Sequence, residues 1–229
     1  MTCYIIDTET TGRDKPQVIE LGWMRRSGIN SPPIEEVFVQ RFRPSKEIEL
    51  GALATHHIQL YELEDCPDYN HAKLPDDAEY IIGHNVDFDW KVLGRPEVKR
   101  ICTETFAKHL WPKLDSYRLG ALAYHFWPHL AKGWSKTAHG VQTDILVCEQ
   151  LFNAILETLG NRGNELDSFE TVWKLCEHAR IPTVMPFGKH KGEAIHNVPK
   201  AYVEWYKRQA DPDPYLLRAF ADAKKSWCR

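Results

Sequence analysis

Nowhere does the sequence hold an apolar run approaching the ~20 residues that cross a bilayer, and its 43% hydrophobic content is set against 27% charged residues. That argues against a membrane span. No secretory leader is expected either, since acids arrive by Asp7 with no basic stretch and no long apolar stretch before them. A cytoplasmic protein with no membrane partner is expected. Six cysteines (Cys3, Cys66, Cys102, Cys148, Cys176 and Cys228) show no CxxC spacing, and several sit in apolar stretches where a thiol acts as a small hydrophobe. Zinc knuckles and disulfide frameworks are thereby disfavoured. Internal repeats and low-complexity runs are absent too. A chain of 229 residues then suits one core of roughly 150 residues with an appendage, or one larger domain.

Net charge is also small, at −3, but the total hides an asymmetry. Residues 174–229 carry eleven Lys/Arg against six Asp/Glu, a local +5, which leaves −8 for residues 1–173. An acidic body suits a site that gathers divalent cations, and a basic tail suits a phosphate backbone; both are also ordinary solvated surface.

What is present reads as an α/β pattern. Residues 2–7, 17–26 and 34–43 are β-branched and aromatic segments bounded by Gly, Pro and Asn, and they predict three strands joined as hairpins. A short helical piece near "LGALATHH" and an acidic connection over 62–79 follow. "EYIIGHN" predicts a strand, and "VDFDWKVLG" a helix with Asn85 as N-cap and Gly94 as its stop. "KRICTETF" predicts another strand and "DSYRLGALAYHFW" a helix. "DILVCEQLFNAILETLG" predicts a longer helix, with Ile145, Cys148, Leu151, Phe152, Ile155 and Leu159 on one stripe. A helix through "FETVWKLCEHAR" leads into a Gly-, Pro- and Lys-rich tail. The expected architecture is an α/β core with a mixed sheet, and the body gives way to the tail near 165–182.

The chemistry concentrates in acids. In a strand, residues i and i+2 share a face with Cα atoms about 6.6 Å apart, so Asp7 and Glu9 of "IIDTETTG" continue the side begun by Cys3 and Ile5. Either the strand leaves the sheet there and both acids stand in water, or a cation offsets their repulsion. In "HNVDFDWKVL", Asp87 has a surface role in the first helical turn, four residues before Lys91. Asp89 shares its face with Val92 and Leu93, so its carboxylate turns toward the packed side and is the better ligand. Asp144 opens a strongly apolar helix that must pack on the sheet, and His139 sits in the loop before it, near neutrality in pKa and able to take a proton. Four acids and one histidine suit hard, oxygen-seeking cations such as Mg²⁺ or Mn²⁺ better than zinc. Two such ions about 3.5–4 Å apart would bracket a scissile phosphate.

"DTETTG", "HNVDFD" and "HGVQTD" together resemble, in order and spacing over residues 4–158, the three motifs of the DEDDh (DnaQ-like) 3′-to-5′ exonucleases. "MPFGKHKGEAIHNVPKAYVEWY" is similar to a C-terminal extension found within that family. The resemblance implies a ribonuclease H-like core with a five-stranded mixed sheet flanked by helices. It divides the chain into a catalytic domain at 1–165 and a small basic extension at 166–229. It implies hydrolysis of DNA from the 3′ end to nucleoside 5′-monophosphates, with two Mg²⁺ ions (Mn²⁺ substituting), in DNA repair, recombination or end trimming. Asp7, Glu9, Asp89 and Asp144 become the metal ligands and His139 the general base. On the substrate side it implies Thr8, Thr10, Asn85 and His56, where His57 replaces the family's usual small residue. Lys189 and Lys191 of "GKHKG" are expected to meet phosphate, with a plain turn as the alternative reading. Tyr202, Trp205 and Tyr206, at helical spacing, are expected to pack rather than stack on bases. Lys132, Trp134 and Lys136 fall in the approach to His139. The expected partner is a DNA 3′ end, single- or double-stranded, with no obligate protein partner. RNA is the rival substrate, and a noncatalytic nucleic-acid-binding or polymerase-accessory module is the rival class.

Overall fold

The computed structural model describes residues 2–31, 36–134 and 140–227, with backbone alone over 224–227. Strands β1 (Cys3–Thr10) and β2 (Val18–Arg26) form an antiparallel hairpin, and β3 (Phe38–Arg41) adds to its outer side. Strands β4 (Tyr80–Gly83) and β5 (Lys99–Cys102) lie parallel to β1 on the other side, giving the order β3-β2-β1-β4-β5. The expected mixed five-stranded sheet is what forms. Helices α1 (Leu50–His56) and α2 (Asp87–Val92) precede and follow β4. After β5 come α3 (Thr103–Leu110), α4 (Leu119–Phe126), α5 (Pro128–Trp134), α6 (Val141–Asn161) and α7 (Phe169–Ala179). Helices α8 (Lys200–Tyr206) and α9 (Pro214–Trp227) complete the chain.

β1 is the central strand, and Cys3 to Ile6 are buried on both faces. Helix α6 packs across β1 and β2 with the six-residue stripe expected from periodicity, every member of it buried. Two features fix its seat. Gly22 has no side chain where one would clash: a Cβ there would lie 2.2 Å from Val141 Cγ1 and 2.9 Å from Ile145 Cδ1. Farther along, the buried Arg26 guanidinium donates to Glu149 and Asn153 of α6.

Several elements depart from the sequence reading. "KRICTETF" is strand only to Cys102. Thr103, Phe106, Ala107 and Leu110 then form the buried face of α3, too short a stripe to be distinguished from a strand. Helix α2 starts at Asp87, and Asn85 is not its N-cap: it adopts a left-handed conformation (φ 62°) and turns the chain out of β4. Its end is as expected, because Gly94 (φ 82°) permits a Schellman closure with Gly94 N–H on Lys91 O and Arg95 N–H on Trp90 O. Helix α6 opens at Val141, three residues before Asp144. The acidic connection holds two short 3₁₀ turns, and α5 and α9 were not foreseen.

By contacts the chain forms two compact units, residues 1–174 and 175–229, dividing within α7. The second has its own core of Met185, Ile195, Val198, Val203, Tyr206, Leu216, Ala219 and Phe220. Among the described residues no helix is long and apolar enough to cross a membrane, and five cysteines are free thiols.

Candidate active site

β1 outruns β4. Their pairing covers only Cys3 to Ile5, so Asp7 and Glu9 project beyond the parallel half of the sheet while still paired to β2. Opposite Asp7 stands Gly22, and opposite Glu9 stands Glu20. Because Gly22 lets α6 approach, Asp144 in its first turns reaches the strand. One carboxylate oxygen each from Asp7, Glu9 and Asp144 lies within 4.8 Å of the others, the one group of metal-ligating type found among the described residues.

The fourth acid arrives on α2. Asp89 is buried and its Oδ1 accepts a 2.6 Å hydrogen bond from the Thr8 hydroxyl, which ties α2 to β1. Val92 and Leu93, on the same helix face, pack against Val18, Leu21 and Phe42, as the spacing required. Asp87 faces elsewhere, partly exposed and held by Arg100 of β5. The two candidate acids are thus separated by the helix face they occupy.

Crowding shows in the electrostatics. Burial, then the charges of Asp89, Asp144, Glu9 and Glu20, push the Asp7 carboxyl well above the usual carboxylate range. Burial, with Asp144, Glu20 and Asp89 adding to it, pushes Glu9 up to about 8. Asp89 is pushed up to about 7 by burial, against which the Thr8 hydroxyl pulls downward. Acids gathered this closely repel each other and call for positive charge. The donor set is all oxygen, with no thiol or imidazole among the three converging groups. It therefore fits a hard divalent cation.

The turn after β1 is built around this cluster. Gly12 (φ 146°) has no room for a side chain, because a Cβ would sit 2.0 Å from Glu49 Cδ. The Glu49 carboxylate accepts the Arg13 and Asp14 amides at 3.1 and 3.0 Å, which anchors the turn to the start of α1. The Thr10 hydroxyl donates to Gly12 O at 3.0 Å, and Thr8 is committed to Asp89, so both hydroxyls have protein partners. Of the two histidines, His56 is the buried one and His57, in a left-handed conformation, is exposed. His56 Nδ1 accepts the Ile58 amide at 3.0 Å, while its buried Nε2 has no hydrogen-bond partner. Burial lowers its pKa. Between the turn and α2 lies a groove of about 550 Å³ lined by Arg13, Lys15, Gln17, Tyr69, Phe88 and Lys91.

His139 and Lys136 lie outside the described residues. Lys132 and Trp134 belong to α5 rather than to a loop. Lys189 and Lys191 are exposed in the second unit. Three contributors escaped the sequence reading. Gly22 looks like any strand glycine. Glu20 is buried beside Glu9 and neutralised by Arg41 at 2.8 Å. Glu49 holds the turn. Only their cross-strand or cross-loop partners reveal them.

The chain is 24% identical over 217 residues to exodeoxyribonuclease 10 of Escherichia coli K12, covering 90% of this chain and 91% of that protein. Among solved structures, exonuclease X in complex with 5′-overhanging duplex DNA superposes with a TM-score of 0.51 at 22% identity, over 74% of this chain and 99% of that one. E. coli exonuclease I with a dT13 oligonucleotide gives 0.55 at 17% identity, over 71% and 42%. The fold is ribonuclease H-like. The resemblance to the DEDDh exonucleases therefore extends well beyond three motifs. A zinc-bound form of the exonuclease I–DNA complex is among the matches, with a TM-score of 0.55 at 16% identity, over 80% and 45%. Residues 176–222 match a separate family model described as "Putative quorum-sensing-regulated virulence factor".

Proposed function

We propose that this chain is a metal-dependent 3′-to-5′ exodeoxyribonuclease of the cytosol that hydrolyses DNA to nucleoside 5′-monophosphates. The observation that carries the reading is the convergence of Asp7, Glu9 and Asp144 within 4.8 Å, with Asp89 alongside, at the open end of β1. The relative named above is an exodeoxyribonuclease, and all three of the structures named above hold DNA. The catalytic part is residues 1–165 and the basic extension 166–229.

Asp7, Glu9, Asp89 and Asp144 would hold two Mg²⁺ ions, for which Mn²⁺ can stand in. Such ions supply charge stabilisation at the scissile phosphate and lower the pKa of water. The chain's own groups do the rest. Thr8 orients the Asp89 carboxylate through its hydroxyl. Arg41 pairs with Glu20 behind the cluster. His139 takes the proton of the attacking water. The groove bearing Arg13, Lys15 and Lys91, with Phe88 and Tyr69 as flat apolar walls, receives the polynucleotide. The backbone at Thr8 and Thr10, with Asn85 and His56, borders the terminal nucleotide.

Purified protein with Mg²⁺ or Mn²⁺ should shorten a 5′-labelled DNA strand stepwise, and a strand blocked at its 3′ end should persist. Asp7→Asn should remove that activity. Endonucleolytic fragments, or activity undiminished in Asp7→Asn, would defeat the proposal. A matched RNA oligonucleotide run in parallel reads out sugar preference.

A further inference from the structure

We propose that the second unit carries a separate binding surface for single-stranded DNA, on which Trp205 and Phe187 stack bases and Lys189 and Lys191 meet phosphates. The inference extends the exonuclease reading, but it rests on different residues. Within residues 175–229 the core takes up Tyr206 and leaves two large rings outside. Trp205 is 48% exposed and Phe187 is 44% exposed, in a unit small enough that each such ring has a cost. Neither ring is isolated. Trp205 lies against Tyr202 at 5.0 Å between centroids, and Tyr202 in turn meets His190 at 4.6 Å. Phe187 lies against the buried Tyr206 at 5.9 Å. The exposed rings are thus backed by half-buried and buried ones, which holds them in place for a flat ligand.

The loop joining Phe187 to His190 is fixed as well. Met185 N–H donates to Glu193 O and Gly192 N–H to Met185 O, each at 2.8 Å, which closes its base. Gly188 (φ 72°) brings it onto α8, where a Cβ would come within 2.8 Å of the Tyr202 hydroxyl. In "GKHKG" the side chains then alternate. His190 folds inward, with Nδ1 3.0 Å from Glu193 and its ring on Tyr202, while Lys189 and Lys191 on either side are exposed.

Charge selects the occupant. Residues 175–229 hold ten Lys/Arg against six Asp/Glu. The acids nearest the rings are engaged, Glu193 with His190 and Glu204 with Lys207 at 3.0 Å. A polyanion with exposed flat faces satisfies both features, and an unpaired DNA strand offers them together; a base-paired duplex keeps its faces stacked inside. Lying on the same chain, such a surface would keep a strand at high local concentration between cleavage events.

The test uses the full chain, a fluorescent dT30 strand and EDTA. Chelation stops cleavage, so the strand persists through the titration, and the variants below report the second unit's share of the binding. Wild-type protein should bind dT30, with quenching of tryptophan fluorescence. Trp205→Ala and Phe187→Ala should each weaken binding about tenfold. Trp205→Phe should keep most of the affinity but lose much of the quenching. Lys189→Gln/Lys191→Gln, at fully exposed positions that folding tolerates, should lower the slope of log Kd against log salt by about 1.4. Affinities within twofold of wild type for both ring variants, an unchanged salt slope, or equal binding of a blunt duplex would overturn the proposal. If wild-type protein binds dT30 this way but shows no nuclease activity with Mg²⁺, the exonuclease reading fails and this one stands.

Discussion

Glu9 and Asp89 make the candidate site pH-sensitive in a direction that can be worked out. Both carboxyls are raised in the folded protein, Glu9 to about 8 and Asp89 to about 7. Groups with raised folded pKa values favour the folded state most below their ordinary range near ~4, and that contribution is lost as pH climbs through 7 and 8. The metal-free protein should therefore show a falling Tm between pH 5.5 and 8.5, and Mn²⁺ should restore it. Ion binding displaces protons from the same carboxyls, so apparent Mn²⁺ affinity should rise over that window. Calorimetry in buffers of different ionisation enthalpy counts those protons. Removing the Thr8 hydroxyl as Thr8→Val takes away the bond that holds Asp89 down, and should shift the Mn²⁺ binding profile to higher pH. The helix face assigned to each acid is checked separately. Asp89→Asn should abolish turnover, whereas Asp87→Asn should keep most of it and cost at most about 1 kcal/mol of stability through Arg100. The reverse pattern would mean that the buried carboxylate is the structural one.

At the scale of elements, the cluster depends on where α6 rests. Gly22→Ala drives a methyl into Val141 and Ile145, and overpacking of that kind costs about 1–3 kcal/mol. Since Asp144 moves with the helix, Mn²⁺ affinity should fall along with the urea midpoint. The clash is chiefly with Val141 Cγ1, so Gly22→Ala/Val141→Ala should recover much of both. No recovery would mean that the helix is not seated by that contact. At the other end of the same helix face, Glu149→Ala leaves the buried Arg26 without its anionic partner, and should cost about 3–5 kcal/mol in urea unfolding. Five residues of helix, about 7.5 Å, separate Glu149 from Asp144. That loss should reach the site as weaker metal binding.

For the whole molecule, α7 decides where the chain can be cut. Phe169 and Val172 are buried, Phe169 packs on Tyr80 at 5.8 Å, and Glu170 pairs with Lys99 and accepts from the Tyr80 hydroxyl. All of these belong to the first unit. A chain ending at residue 165 should therefore be less stable than one ending at residue 180, by about 3–5 kcal/mol of lost apolar burial. Both lack Lys189, Lys191 and Trp205. Thermal melts of the pair separate the structural role of α7 from any contribution of the tail.

The elements that could be read from sequence were those with strong local periodicity: β1, β2, β4 and above all α6, whose apolar stripe recurs over about four turns. Short helices such as α3 fell below what a period can resolve, and Asn85 misled because a turn residue and a cap residue share the same chemistry. The four acids were legible because each closes or opens an element whose direction is set locally, and Asp89 could be preferred to Asp87 from the neighbours on its own helix face. Gly22, Glu20 and Glu49 were not legible, since each acts on a partner distant in the chain. In the tail, sequence favoured packing for all three aromatics, and the tertiary structure buries Tyr206 but leaves Trp205 outside. Residue order alone determined which acids share a strand face or a helix face, because alternation along a strand and the turns of a helix are local geometry. Tertiary structure alone decided that three carboxylates meet within 4.8 Å, because that distance depends on how closely one helix can approach a sheet where a single glycine leaves room.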